Sequence, residues 1–148
     1  MADRLVLSSG EQRKSYVKKM FNAIAHRYDL LNHLLSLGLD IRWRRKAISQ
    51  LNTELRYKRV LDLACGTGDF ALETARRRQV RVVGADIALR MLRFGRKKLD
   101  PRKVLLLNAD GEQLPLRSGI FDAVTIAFGI RNMGDMAAAL REMRRILR

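Results

Sequence analysis

Three glycines and four carboxylates, spaced across a run of apolar segments, give this chain its first chemical possibility. The stretch Val60-Leu61-Asp62-Leu63-Ala64-Cys65-Gly66-Thr67-Gly68-Asp69-Phe70 reads as a strand that turns abruptly into a helix. Gly66 and Gly68 allow the bend and let a ligand approach the backbone with no Cβ in the way. Eighteen residues beyond Gly68, Asp86 ends the next apolar run, where a carboxylate can accept hydrogen bonds from both hydroxyls of a ribose. After a third run, Asn108-Ala109-Asp110-Gly111-Glu112 offers a carboxylate for an adenine amino group and, at Gly111, a backbone N–H for a ring nitrogen. Met91 and Leu92 would wall the adenine face. The plainer alternatives are that Asp110 is an ordinary turn residue and that Met91 and Leu92 only pack in the core.

A glycine turn followed by an acid also fits a dinucleotide, and Ala71 completes a G-x-G-x-x-A pattern. Electrostatics separates the two. A pyrophosphate at a helix N-terminus needs positive dipole and no carboxylate close by. Here Asp62 lies four residues before Gly66 and Asp69 directly follows Gly68. That pair favours a cationic ligand, and the ammonium and sulfonium of S-adenosylmethionine match it. Dinucleotide binding and a loop with no ligand stay open behind this expectation.

The elements that must position these residues fall into two styles. Up to about residue 55 the pattern is helical: Ser8 and Glu11 have capping-box spacing ahead of Tyr16, Val17, Met20, Phe21 and Ile24. Asp29 is placed to cap a second helix carrying Leu30, Leu31, Leu34 and Leu35, with Gly38 as its stop. Asp40 starts a third, basic helix through Trp43, Ala47, Ile48 and Leu51. From Arg59, strands expected at Val60–Ala64, Val80–Ala85, Val104–Leu107 and Phe121–Phe128 alternate with helices near Phe70–Arg78, Leu89–Leu99 and Asp135–Leu147. Such alternation predicts βαβ units and a parallel sheet with right-handed crossovers. The expected organisation is α/β: a helical cap over residues 1–55 and a Rossmann-like core over 56–148.

Bulk properties bound the rest. At 148 residues and 47% hydrophobic, the chain is sized for one domain with a real core. No apolar run approaches the ~18 residues of a membrane span, the N-terminus has no secretory pattern, and Cys65 has no partner for an internal disulfide. A cytoplasmic protein is expected. The net charge of +15, from 30 Lys and Arg against 15 acids, suits a polyanion or an anionic bilayer. Because the basic residues are spread along the chain, solvated helix faces explain them equally well.

Two flanks of the glycine loop carry a resemblance. Tyr28-Asp29-Leu30-Leu31-Asn32-His33-Leu34-Leu35-Ser36, continuing through Gly38, Asp40 and Trp43-Arg44, is similar to the N-terminal signature of the ubiquinone/menaquinone biosynthesis C-methyltransferases. Phe121-Asp122-Ala123-Val124-Thr125-Ile126-Ala127-Phe128-Gly129-Ile130-Arg131-Asn132 resembles the fourth-strand segment of the same family, with Gln113-Leu114-Pro115-Leu116 between. The resemblance implies a class I methyltransferase three-layer sandwich with an N-terminal helical cap, and further strands beyond Arg148. It implies S-adenosylmethionine as donor, held at Thr67, Asp86, Asp110 and Gly111 beside Asp62, Gly66 and Gly68, and no metal. It also implies methyl transfer to a ring carbon of a demethylated polyprenyl quinol. Ala127 stands where some members have serine. Cys65 replaces a glycine and is expected to pack in the loop.

A quinol ring carbon becomes nucleophilic when the adjacent hydroxyl loses its proton, so such an enzyme must stabilise a phenolate. Arg131, just past the fourth strand, is placed to hold that oxyanion. Tyr28 and His33 of the cap would complete the hydrogen bonding. Each has a plainer role: Arg131 in a surface ion pair, Tyr28 as a core aromatic, His33 on a helix surface. The Leu30–Leu37 helix beside Arg42–Lys46 would suit peripheral contact with an anionic membrane. The rivals are an RNA or other small-molecule methyltransferase, although an (Asp/Asn)-Pro-Pro-aromatic motif is absent after the fourth strand, and an inactive piece that only binds donor. Without further strands the fourth would show an open edge, which a homodimer or a partner could complete.

Overall fold

The computed structural model describes residues 10–36, 39–51 and 59–148. Ser8, Leu37, Gly38 and Arg56 lie outside the described residues, as do the side chains of Leu31, Asn32, His33 and Leu35.

Valine- and leucine-rich runs too short for helices form four parallel strands, β1 (Arg59–Leu63), β2 (Arg81–Asp86), β3 (Val104–Asn108) and β4 (Ala123–Ile126), ordered β3-β2-β1-β4. Their two-residue period sorts side chains to opposite faces. Val60, Val82 and Val104 pack on one face against Ala71 and Ala75 of α4 (Asp69–Arg78). Leu61, Leu63 and Ala85 pack on the other against Ile146, at the end of α6 (Met136–Ile146), and Phe121. Helices on both faces bury a parallel sheet, which is the three-layer α/β arrangement expected.

The helices α1 (Gly10–Ile24), α2 (Tyr28–Leu35) and α3 (Leu39–Ser49) precede the sheet, and α5 (Leu89–Arg96) follows β2. Ala25 joins Ala88 and Met91 in a third buried cluster, with Phe21, Tyr28 and Phe94 packed against it, and this ties α1 and α2 to α5. The strand order reverses at β1, between β2 and β4, so the carboxyl ends of these strands open a crevice there. The cap helices lie across that crevice.

Three expectations are amended. The fourth strand is shorter than Phe121–Phe128, because β1 pairs only to Leu63, opposite Ile126. Beyond that point Ala64 turns into the left-handed region, and Phe128 does the same at φ 61°. Phe121 instead bridges Leu147. Asp29 lies in the first turn of α2, but its carboxylate is taken by Thr67 and Lys98. Tyr16, expected on the packed face of α1, is exposed, and α1 buries none of its residues fully.

Candidate active site

Backbone geometry builds the loop after β1. Gly66 and Gly68 hold φ of 58° and 83°, which β-carbons disfavour. The Cys65 N–H donates to the Ala85 carbonyl, and the Gly68 N–H returns to Cys65. Helix α5 presses directly on this loop: a Cβ at Gly95 would lie 2.5 Å from the Thr67 carbonyl oxygen. Asp86 locks the loop to β2, its Oδ2 accepting from the Gly66 N–H and its Oδ1 from the Ala88 N–H, each at 2.8 Å. Burial raises the Asp86 carboxyl above its ordinary value, against those two bonds.

A cavity of about 390 Å³ opens over the carboxyl ends of the strands, within the ~300–1,000 Å³ typical of small-ligand sites. Gly66, Asp86, Asp110, Gly111, Tyr28 and Arg131 all line it. Met91 lines it too, whereas Leu92 is buried outside it. Asp62 and Thr67 line a smaller adjoining cavity of about 50 Å³ shared with Gly66 and Tyr28, and Gly68 lines neither. The side chain of His33 lies outside the described residues.

The two carboxylates flanking the loop have different fates. Asp69 is paired with Lys98 and with Arg44 at 3.2 Å, so it adds little negative potential to the loop. Of the pair expected to favour a cationic ligand, Asp69 is thus neutralised by the protein's own cations. Asp62 is fully buried; Thr125 Oγ1 donates to its Oδ1 at 2.9 Å, but its Oδ2 has no hydrogen-bond partner among the described residues. Burial pushes its carboxyl up to about 7, against the Thr125 bond, the Arg44 charge and the nearby Ala71 N–H, which does not reach bonding geometry with Oδ2. A buried carboxylate oxygen without a donor, beside a small cavity, fits an ammonium group and does not fit a pyrophosphate.

Thr67, 2% exposed, donates its hydroxyl to Asp29 Oδ1 at 2.5 Å and accepts from Lys98 Nζ at 3.0 Å, so its side chain is spent within the protein. Cys65 packs against Gly84, where a Cβ would come within 2.9 Å of its Sγ. Burial, then the Asp62 and Asp86 charges, push its thiol well above the ordinary range, which leaves it a poor nucleophile.

Tyr28 stands edge-on to Phe21 at 5.8 Å, and burial raises its hydroxyl above the usual value. Arg131 is exposed on the 3-10 turn Ile130–Asn132, and no described carboxylate pairs with it. Several cavity residues were not anticipated. Lys14, Val17 and Phe21 reach it from α1, one helical face at i, i+3 and i+7, a spacing visible in the sequence but with nothing to aim it. Lys14 Nζ meets Asp110 Oδ2 at 2.8 Å and Glu112 Oε2 at 3.1 Å. An adenine amino group at Asp110 would therefore share that carboxylate with Lys14. Ile87 and Phe128 also line the cavity.

The ubiE/COQ5 methyltransferase family profile matches residues 7–148. The chain belongs to this family. It is 53% identical over 131 residues to the demethylmenaquinone methyltransferase of Thermus thermophilus, covering 86% of this chain and 59% of the relative. It is 44% identical over 141 residues to the ubiquinone/menaquinone biosynthesis C-methyltransferase UbiE of Geotalea uraniireducens, covering 89% and 58%. The chain thus spans about three-fifths of the length of these family members. Among solved structures, S-adenosylmethionine-bound CalS10, an amino pentose methyltransferase from Micromonospora echinaspora, superposes with a TM-score of 0.62 at 31% identity, over 72% of this chain and 46% of that one. A SAM-dependent methyltransferase from Aquifex aeolicus gives 0.63 at 19% identity, over 71% and 58%, and shows the shared fold. The architecture is that of the Rossmann-like class I methyltransferases.

Proposed function

We propose that this chain binds S-adenosylmethionine and serves the C-methylation of a demethylated polyprenyl quinol. The observation that carries this is the single cavity that brings Gly66, Asp86, Asp110 and Gly111 together with Tyr28 and Arg131, next to the orphaned Asp62 Oδ2. Asp86 would hold the ribose, Asp110 and Gly111 the adenine edge, and Asp62 the ammonium. When bound, the donor supplies a methyl group already activated as a sulfonium.

The chain's own task is then to raise electron density on the ring carbon and aim it. Arg131, uncommitted to any described carboxylate, would stabilise the quinol oxyanion and lower the cost of removing its proton. Tyr28 stays protonated because its environment raises its pKa, so it can donate a hydrogen bond to a substrate oxygen. With the quinol oxygen held between them, Arg131 and Tyr28 would orient the adjacent ring carbon toward the part of the cavity over Gly66 and Asp86, where the activated methyl group would lie. Proximity and orientation supply much of the acceleration.

The exposed side chains of Leu30 (70%), Leu34 (64%) and Trp43 (53%), beside exposed Arg42, Arg45 and Lys46, support peripheral contact with an anionic bilayer, where such a quinol resides. Leu30→Ser with Leu34→Ser should cut cosedimentation with phosphatidylglycerol vesicles severalfold; unchanged binding would reject this surface.

Transfer of labelled methyl from S-adenosylmethionine to a short-tailed demethylated quinol tests the main proposal. Arg131→Met should lower kcat by ~10²–10³ with little change in donor affinity. Label that never reaches quinol carbon would reject it.

A further inference from the structure

Asp29 follows Tyr28 at the start of α2 and splits its carboxylate between two elements. Its Oδ1 accepts from the Thr67 hydroxyl at 2.5 Å, in the glycine loop. Its Oδ2 accepts from Lys98 Nζ at 2.6 Å, just past α5. Lys98 also donates to Thr67 Oγ1 at 3.0 Å, closing a three-membered ring of hydrogen bonds. Proton directions are fully determined: the single hydroxyl proton goes to Asp29, and the hydroxyl oxygen receives Lys98. The cluster continues outward. Lys98 pairs with Asp69 at the start of α4, and Arg44 of α3 joins Asp69 at 3.2 Å to Asp40 at 3.1 Å.

Tyr28 lies inward of this ring, against Phe21 and with Cε1 3.9 Å from where a Gly66 Cβ would sit. Its backbone is set by the first turn of α2, and Asp29 ties that turn to the loop. An exposed ion pair contributes little. Here one of the three acceptors of Lys98 is a buried threonine hydroxyl, so the arrangement specifies position more than it adds stability.

We propose that Asp29 is a positioning residue: with Thr67 and Lys98 it clasps α2 to the glycine loop and sets where Tyr28 stands relative to the donor. The inference rests on the methyltransferase function proposed above, and it gives the Thr67 side chain a role inside the protein. Loop and cap are thereby coupled, so a loop shaped by donor also presents Tyr28.

The test uses the full chain and measures methyl transfer, calorimetric donor affinity and amide exchange together. Asp29→Ala should lower kcat by ~10–100-fold, as a small misplacement of a catalytic group does, while donor Kd stays within about threefold. Asp29→Asn keeps an acceptor for Thr67 and should recover part of the loss. Joined to Tyr28→Phe, Asp29→Ala should cost little beyond Tyr28→Phe alone, because both act through one group. Lys98→Met, at a part-exposed site, should speed amide exchange across residues 28–35. Additive losses in the double variant, or a fall in donor affinity with kcat intact, would overturn the clasp. If the unsubstituted chain transfers no methyl, the functional proposal fails and exchange alone decides: unchanged protection in both Lys98→Met and Asp29→Asn overturns the clasp.

Discussion

On the sheet side of the cavity, Asp86 is held by two backbone N–H groups, the loop is packed by Gly95 against the Thr67 carbonyl, and the surrounding residues are buried. On the cap side, α1 and α2 reach the same cavity with Val17, Phe21 and Tyr28, and are held there both by the cluster around Met91 and by charges: Lys14 on Asp110 and Glu112, and Asp29 on Lys98. α1 has no fully buried residue at all. Backbone contacts and close packing do not respond to salt, and they tolerate no added volume. Ion pairs at part-exposed sites weaken with salt and rearrange at small cost. The sheet side is therefore built as a fixed mould, while part of the cap's attachment is open to weakening by salt.

Adding volume to the mould should give the largest effect. Gly95→Val would drive a side chain into the loop backbone, and a loss of ~2–4 kcal/mol or failure to fold is expected in chemical denaturation. A Gly95→Val protein of ordinary stability would mean the loop yields, and the comparison would break.

Asp62 sharpens the contrast through pH. Its carboxyl is raised from 3.8 to about 7, so the folded state holds a proton that the unfolded state releases. Its burial therefore costs stability increasingly as pH rises from about 4 to about 7. A cation seated beside it needs the ionised form. S-adenosylmethionine affinity should thus rise about tenfold between pH 6 and 8, and Asp62→Asn should flatten that rise while increasing the melting temperature at pH 8. A rise that survives in Asp62→Asn would place the titrating group elsewhere.

The smallest effect belongs to the cap. Lys14→Met should change global stability by less than ~1 kcal/mol yet speed amide exchange in α1, and added salt should reproduce the change in the unsubstituted chain. Equal salt sensitivity in the strands would erase the distinction between the two sides.

The same division explains what could be read from the sequence. The strands, the glycine loop, Asp86 and Asp110-Gly111 were legible because period-two apolar runs and short spacings encode them locally. Where a strand ends was not: β4 stops at Ile126 because its neighbour β1 stops at Leu63, a tertiary cause. The partners of Asp29, Asp69 and Lys14 were hidden for a related reason. Each pairs with a residue 29 to 96 positions away, Lys98 for the first two and Asp110 for the third, and no local pattern announces such a match. Asp29 has the signature of a helix cap and does something else, while the partnering of Asp69 by Lys98 and Arg44 removes half of the charge argument and leaves Asp62 to carry it.

Calorimetric titration of the folded chain with S-adenosylmethionine, with NAD as control, tests the central claim most directly. The account predicts donor binding that Asp86→Ala weakens by ~100-fold or more, the cost of leaving polar groups of a buried ligand unpaired, and no binding of NAD. A folded chain that binds NAD and ignores S-adenosylmethionine would contradict it.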